Sequence, residues 1–311
     1  MEKGRPSHTA MVSALMRAAH PLLDAAPWIF EDPFAAALIG LNTPAAVRAA
    51  LDSLEQELAR TASPALARAW IRTARLSGAL RARFFEDELG VAVERGVAQY
   101  VILGAGYDSF AYRRPDLHNT LRVFELDHPA TQESKQARLR ELGVPIPPNV
   151  TFVSIDFETR HSIMDALQAN GYRQDKAAYF CWPGVTWYLT DEAIERTLSE
   201  VACAASGSEL ALDYVVPDEL LPAEEREVLR MLQIMATTRG EPGGKRFAPA
   251  DLAQKLTAFG FTHILELGAD AANARYCAHR TDGLRIPELL HVLKARTNGT
   301  QTPTSSVRLT P

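Results

Sequence analysis

From Val97 onward the sequence alternates short apolar runs with longer stretches of helical character. Such runs are typical of parallel strands that are buried on both faces and joined by helices. The predicted strands lie near 99–103, 121–126, 150–154, 177–182, 209–215, 261–267 and 274–278. The helices between them are predicted near 107–114, 129–142, 160–170, 191–205, 223–238 and 249–259. The pattern therefore predicts an α/β fold with a doubly wound, mainly parallel, seven-stranded, Rossmann-like sheet.

The last two predicted strands, 261–267 and 274–278, are separated by only about six residues. Parallel neighbours need a crossover of about a dozen residues or more, whereas antiparallel neighbours can be joined by a short turn. These two strands are therefore expected to form an antiparallel, hairpin-like edge of the sheet.

The first hundred residues show helical spacing of apolar side chains and no strand-like alternation. Residues 7–23 have the pattern of an amphipathic helix, and a second helix is expected to follow Pro33 and to end at Gly40. Residues 44–98 are rich in Ala, Leu, Arg and Glu and predict two or three more helices. The chain thus divides into a helical cap over 1–96, an α/β domain over 97–296, and a polar tail over 297–311 that is expected to be disordered.

Composition limits the kinds of partner. A formal net charge of −5 argues against nucleic acid, since binding to its backbone depends on clustered Lys and Arg. The three cysteines, Cys181, Cys203 and Cys277, are widely spaced and match no disulfide or zinc pattern. No long apolar run predicts a membrane span, and no secretory signal is recognised. We therefore expect a cytoplasmic protein that binds a small molecule, without a metal, membrane or nucleic-acid partner.

The stretch "YVILGAGYDSFAYRR", residues 100–114, predicts a strand, a glycine turn and the start of a helix. Gly104 and Gly106 allow a tight turn and close approach of a ligand to the backbone. Glu125, at the end of the next predicted strand, could accept hydrogen bonds from a ribose, and Asp127 is its nearest competitor. Ser109 stands where a dinucleotide fingerprint has its third glycine. The turn predicts an adenosine-bearing ligand and leaves its chemistry open.

Several sequence blocks together resemble the leucine carboxyl methyltransferase family of class I S-adenosyl-L-methionine-dependent methyltransferases. The resemblance is to the branch of bacterial natural-product O-methyltransferases of the tetracenomycin type. The blocks are "RAAHPLLDAAPWIFEDPFAAALIG", "LRARFFEDEL", "QYVILGAGYDSFAYR", "VFELDHPATQESK", "VSIDFE" and "WPGVTWYLT". They occur in the family's order over roughly residues 7–215.

This resemblance implies S-adenosyl-L-methionine as cofactor and gives roles to individual residues. Arg81 is expected to pair with the methionine carboxylate, which suits a planar guanidinium, although a solvated helix face is the alternative. Glu125 is expected to hold the ribose, and Asp156 and Phe157 to flank the adenine. The full implied cofactor set is Arg81, Gly104, Ala105, Gly106, Glu125, Leu126, Asp127, Asp156 and Phe157.

The block "CWPGVTWYLT" departs from the family pattern, because Pro183 stands where a glutamate usually precedes the glycine. The change removes a carboxylate from the edge of the implied cofactor pocket. Thr186 and Tyr188 remain as candidate catalytic residues that could contact cofactor or substrate. The aromatic residues of the block could equally be packing residues at the rim of the sheet.

The function implied is methyl transfer from S-adenosyl-L-methionine to a carboxyl or hydroxyl group of a small molecule, such as a polyketide. The alternatives are an NAD(P)-dependent oxidoreductase and a non-catalytic S-adenosyl-L-methionine-binding protein. The glycine-rich segment 237–247 could be a lid or an ordinary surface loop. Its cations, Arg239, Lys245 and Arg246, could attract an acidic acceptor.

Overall fold

The computed structural model describes residues 7–159, 161–238 and 243–298. It contains one seven-stranded sheet with the strand order β3-β2-β1-β4-β5-β7-β6. The first five strands of that order are parallel, and β7 runs antiparallel to both of its neighbours. The strands are β1 (Gln99–Leu103), β2 (Arg122–Asp127), β3 (Val150–Ser154), β4 (Tyr179–Trp182), β5 (Glu209–Val215), β6 (Phe261–Leu267) and β7 (Leu290–Thr297). The predicted α/β architecture is confirmed.

Eleven α-helices occur in the described part of the chain, four of them before the first strand. They are α1 (His8–Leu23), α2 (Ala35–Leu38), α3 (Pro44–Thr61), α4 (Pro64–Glu94), α5 (Phe110–Arg113), α6 (Pro129–Glu141), α7 (Ile163–Ala169), α8 (Asp191–Ala202), α9 (Ala223–Thr238), α10 (Pro249–Ala258) and α11 (Ala269–Tyr276). A short 3-10 turn, Thr186–Tyr188, follows β4. None of the helices in the described ranges is long and apolar enough to cross a membrane.

Local sequence signals explain where the N-terminal helices begin. Ser7, Thr43 and Ser63 each accept a hydrogen bond from the backbone three residues on, at the starts of α1, α3 and α4. Pro44 and Pro64 occupy the first helical position of α3 and α4, where no backbone donor is needed. Buried side chains of these three helices share one core with the sheet strands. α4 packs on β4, β5 and β7, and α1 and α3 pack on α4, so these helices form a layer over the sheet that can cover a ligand.

The prediction of the last strand is wrong about which residues form it. Residues 274–278 belong to α11 and the turn after it, and the last strand is Leu290–Thr297. This strand lies between β5 and β6 and is antiparallel to β6. The predicted antiparallel edge is therefore correct in orientation, but its two strands are joined by a helix and a loop.

β7 could not be recognised in the sequence because Lys294 and Arg296 interrupt its run of apolar residues. Lys294 Nζ lies 2.6 Å from Glu88 Oε2, and Arg296 lies 3.1 Å from Glu209 Oε1. Both glutamates are buried, so these pairs compensate charge that would otherwise be costly in a sheet interior. Thr297 ends this strand and is not part of a tail, and residues 299–311 lie outside the described ranges.

Candidate functional site

A cavity of about 620 Å³ lies at the carboxyl ends of the parallel strands. This is the edge where ligands bind in open α/β sheets, and the volume is within the usual range for small-molecule sites. Backbone and side chains that follow β1 to β4 form its floor, and residues of α1, α4 and α9 cover it. Among the residues of the implied cofactor set, Arg81, Gly104, Ala105, Gly106, Asp127, Asp156 and Phe157 line the cavity, as do Thr186 and Tyr188.

The glycine turn after β1 forms one wall of the cavity. The backbone N–H groups of Gly104 and Ala105 donate to the carbonyl of Leu126 at 2.8 and 2.9 Å, which ties the turn to β2. Gly104 has φ +78°, and a Cβ there would stand 2.4 Å from Cγ2 of Val185. Glycine at this position therefore serves both the backbone conformation and the contact with the segment after β4.

Replacing Gly104 with alanine is expected to destabilise the protein by about 2–4 kcal/mol. About 1 kcal/mol comes from forcing a side chain into left-handed backbone, and about 1–3 kcal/mol from overpacking against Val185. Denaturant unfolding measures the change. Gly96→Ala is the matched control, because Gly96 has φ +93° but open space around it. If both variants lose the same stability, the contact with Val185 is not what requires glycine at position 104.

The carboxylate that faces the cavity from β2 is Asp127. Its Oδ2 accepts a hydrogen bond from Gly106 N at 2.6 Å, and its Oδ1 accepts one from His128 N at 2.7 Å. Burial raises the pKa of Asp127, and these two backbone donors oppose the rise. The side chain is thereby fixed beside the glycine turn with lone pairs left for a ligand.

Glu125, predicted to hold a ribose, does not line the cavity. It is fully buried and forms an ion pair with Lys135 of α6, and its Oε1 has no hydrogen-bond partner among the residues that the structure describes. Burial raises the pKa of Glu125 to about 7, and Lys135 lowers it. Leu126 is also outside the lining, although its carbonyl anchors the glycine turn. Glu125 and Asp127 are two residues apart and lie on the same face of β2. Helix α6 covers Glu125, whereas Asp127 lies at the end of the strand, beside the cavity.

Glu125→Gln is expected to lower the free energy of unfolding by about 3–5 kcal/mol, because the Lys135 ammonium would stay buried without a counter-charge. The double variant Glu125→Gln/Lys135→Met removes both charges and is expected to recover most of that loss. Denaturant unfolding of the two variants gives the comparison. Equal stability of the wild type and the single variant would show that the pair is not a buried charge pair in solution.

Arg81 enters the cavity from α4 and is held by two partners. Its Nη1 lies 3.1 Å from Asp213 Oδ2, and its Nη2 donates to Ser13 Oγ at 2.8 Å. Gly184 lets the guanidinium approach closely, because a Cβ there would stand 2.6 Å from Nη1. Arg81 is therefore a partly buried, oriented cation at the cavity wall and not part of a solvated helix face.

Asp213 lines the cavity and was not predicted from the sequence. It lies in β5, whose seven residues are all buried, and it accepts hydrogen bonds from Arg81 and from the Gly184 backbone N–H at 2.5 Å. Its carbonyl accepts the hydroxyl hydrogen of Thr186 at 2.9 Å. A carboxylate inside the apolar run "ELALDYVV" is the signal that could have identified it, since a buried charge needs a partner. Asp213 thus places a carboxylate beside the segment where Pro183 replaces the family's glutamate.

Thr186 and Tyr188 both line the cavity from the 3-10 turn after β4. The Thr186 hydroxyl is buried and engaged with Asp213, so it fixes the turn in place. Tyr188 is half-buried. Trp182 and Trp187 are buried, and Trp187 also lines the cavity. The block therefore contributes both packing residues and cavity wall.

The cations of the glycine-rich segment lie apart from the cavity lining. Lys245 forms an ion pair with Asp191, and Arg246 forms one with Asp218. Arg239 falls outside the described residues, as do residues 240–242. Across the described ranges, no group of three or more His, Cys, Asp or Glu side chains is arranged to hold a metal ion.

The strand order and the position of the cavity define the class I methyltransferase fold. A solved structure of an inferred methyltransferase from Thermobifida fusca YX superposes on 96% of this chain and 97% of its own, with a TM-score of 0.57 at 16% identity. A similarity of this degree supports the fold alone.

Sequence comparison identifies the family. The model of the leucine carboxyl methyltransferase family matches residues 10–202. The Bacillus subtilis (strain 168) protein YktD, named as an inferred S-adenosyl-L-methionine-dependent methyltransferase, is 32% identical over 95% of this chain and 99% of its own length. A similarly named protein of Mycolicibacterium smegmatis is 31% identical over 72% of this chain and 74% of its own. The chain belongs to the leucine carboxyl methyltransferase family of S-adenosyl-L-methionine-dependent methyltransferases.

Proposed function

We propose that this methyltransferase transfers the methyl group to an oxygen atom, in a hydroxyl or carboxyl group of a small molecule such as a polyketide. The observation that carries the proposal is one continuous cavity, which joins the glycine turn, Asp127 and Arg81 to a wall of apolar side chains from α4 and α9. The polar lining suits the cofactor, and the apolar lining suits the body of a small acceptor.

The polar half fits S-adenosyl-L-methionine residue by residue. Asp127 would accept hydrogen bonds from the ribose hydroxyls, which replaces the expectation for Glu125. Arg81 would bind the methionine carboxylate, with Asp213 and Ser13 fixing its orientation. The lack of a Cβ at Gly104 and Gly106 leaves room for a ligand against the turn. Asp156 and Phe157, which follow β3 and line the cavity, would contact the adenine.

When bound, S-adenosyl-L-methionine supplies a methyl group that is activated by a positively charged sulfur. The protein's own contribution is to orient the acceptor and exclude water from the cavity. A carboxylate acceptor needs no base, because it is already ionised at neutral pH. A hydroxyl acceptor must release a proton. Asp213, which touches both Arg81 and the turn that carries Thr186, takes that proton, and Tyr188 orients the acceptor oxygen.

The proposal is tested by incubating the purified protein with S-adenosyl-L-methionine carrying a radiolabelled methyl group and a panel of phenols, alcohols and carboxylic acids. We expect label in an organic product, with one S-adenosyl-L-homocysteine formed for each methyl group transferred. Treatment of the product with base distinguishes the acceptor group, because a methyl ester is hydrolysed and a methyl ether is not. Binding of S-adenosyl-L-homocysteine without any labelled product across the panel would instead support a non-catalytic cofactor-binding protein.

A further inference from the structure

Thr73 of α4 is a buried residue of the cavity wall whose hydroxyl group has no partner. The residue is 4% exposed, and its hydroxyl makes no hydrogen bond within residues 7–159, 161–238 and 243–298. The hydroxyl oxygen is nevertheless not fully enclosed by protein atoms. Because Thr73 lines the cavity, the small accessible surface that it keeps lies there. The hydroxyl is therefore open to a ligand in the cavity.

Other buried threonines of the described chain have hydrogen-bonded hydroxyls. They are Thr131, Thr186, Thr197 and Thr297. Thr197 donates to the carbonyl oxygen four residues earlier in its own helix at 2.9 Å, a bond that helical threonines commonly make. Thr73 lacks that bond although it lies within a helix. Buried polar groups are nearly always hydrogen-bonded, so a buried hydroxyl left open at a cavity points to a ligand that completes it.

Thr73 lies well away from the residue assigned to the methionine carboxylate. Eight residues of α4 separate it from Arg81, which is about 12 Å at the helical rise. Both residues line the cavity, as do Trp70 and Ala74, which lie within one turn of Thr73. The hydroxyl is therefore placed to contact a part of the acceptor that is distant from the carboxylate end of the cofactor.

Helix α9 supplies the apolar wall beside this part of α4. Arg72 Nη2 lies 2.9 Å from Glu224 Oε1, so the start of α9 lies next to the turn of α4 that carries Thr73. The lining residues of α9 include Val228, Leu232 and Met235. An acceptor in this part of the cavity therefore contacts apolar side chains along its length and one open hydroxyl.

Resting on the proposed methyltransferase function, we propose that the acceptor is an elongated molecule with an apolar body and a second oxygen atom, in a hydroxyl or carbonyl group, that hydrogen-bonds to Thr73. The oxygen that receives the methyl group lies at the cofactor end of the acceptor, and the second oxygen lies at its distal end. A threonine hydroxyl can both donate and accept, so either group would complete it. Thr73 is then a residue that selects the acceptor and does not contact the cofactor.

The test uses calorimetry on protein saturated with S-adenosyl-L-homocysteine, with 4,4′-biphenol and 4-phenylphenol as probes that differ only in the distal hydroxyl. We expect the wild type to bind 4,4′-biphenol about five- to twentyfold more tightly. This range combines one hydrogen bond with the roughly twofold statistical advantage of a molecule that has two equivalent ends. In Thr73→Val, which removes the hydroxyl with little change of shape, the preference is expected to fall to about that twofold statistical factor.

Thr197→Val is the matched control. It removes the hydroxyl of another buried helical threonine, which bonds to its own helix and lies outside the cavity lining. We expect this variant to keep the wild-type preference for 4,4′-biphenol. The affinity of each variant for S-adenosyl-L-homocysteine is measured first.

An undiminished preference in Thr73→Val would overturn this inference, as would equal affinity of the wild type for the two probes or no binding of either probe up to its solubility limit. Weaker binding of S-adenosyl-L-homocysteine by Thr73→Val would place the hydroxyl against the cofactor and would also overturn it. If the wild-type protein fails to bind S-adenosyl-L-homocysteine, the proposed function itself fails. If it binds and the probe results are negative, only the account of the acceptor is wrong.

Discussion

Arg81→Gln is expected to weaken binding of S-adenosyl-L-homocysteine by at least about 30-fold, and methyl transfer with it. The substitution removes the cation assigned to the methionine carboxylate. It also leaves the buried Asp213 carboxylate without its ionic partner. Truncating one member of a buried, hydrogen-bonded charge pair typically costs about 2–5 kcal/mol, and each 1.4 kcal/mol is a factor of ten. Isothermal titration of the two proteins measures the difference.

Arg83→Gln is the matched control on the same helix. Arg83 is largely exposed and pairs with Asp87 four residues along, an arrangement worth only about 0.3–0.5 kcal/mol. We expect its affinity for the ligand to stay within about twofold of the wild type. A comparable loss in both variants would mean that general charge or helix stability, and not the position of Arg81 in the cavity, determines binding.

Asp127→Asn is expected to reduce affinity for S-adenosyl-L-homocysteine by about 10- to 100-fold. Both oxygens of the Asp127 carboxylate accept backbone hydrogen bonds, from Gly106 N and His128 N. The side chain of asparagine has one oxygen and one NH₂ group, so its NH₂ group would face one of these two N–H donors and that hydrogen bond would be lost. Loss of a hydrogen bond to a charged group costs about 1.5–3 kcal/mol. The ribose contact assigned to Asp127 would be lost as well. Calorimetry gives the affinity, and circular dichroism checks the fold.

The double variant Glu125→Gln/Lys135→Met is the control for the choice between the two acids of β2. It alters the carboxylate that the sequence favoured while it leaves Asp127 in place. We expect nearly unchanged ligand affinity in this variant. A large loss there, with little loss in Asp127→Asn, would return the ribose role to Glu125.

The sheet was predictable from sequence because most of its strands are buried on both faces and therefore appear as apolar runs. β1, with all five residues buried, and β5, with all seven, are examples. β7 could not be predicted, because Lys294 and Arg296 interrupt its run of apolar residues. The glutamates that pair with these two cations belong to α4 and β5. A pairing between residues so distant in the chain has no local signal.

The candidate site, like the sheet, could be predicted from the sequence only in part. The glycine turn and Arg81 could be identified because short motifs place them in a known context. The choice between Glu125 and Asp127 could not be made, since both lie on one face of an extended strand and only the packing of α6 decides which is covered. The place of Asp213 beside Arg81 likewise depends on how α4 crosses β5.

The central claim is that the cavity at the strand ends is a site for S-adenosyl-L-methionine. Isothermal titration of the wild-type protein with S-adenosyl-L-homocysteine and, separately, with NAD⁺ tests it most directly. We predict saturable binding of S-adenosyl-L-homocysteine with one site per chain, competed by S-adenosyl-L-methionine, and no measurable heat with NAD⁺. Binding of NAD⁺ without binding of S-adenosyl-L-homocysteine would contradict the claim.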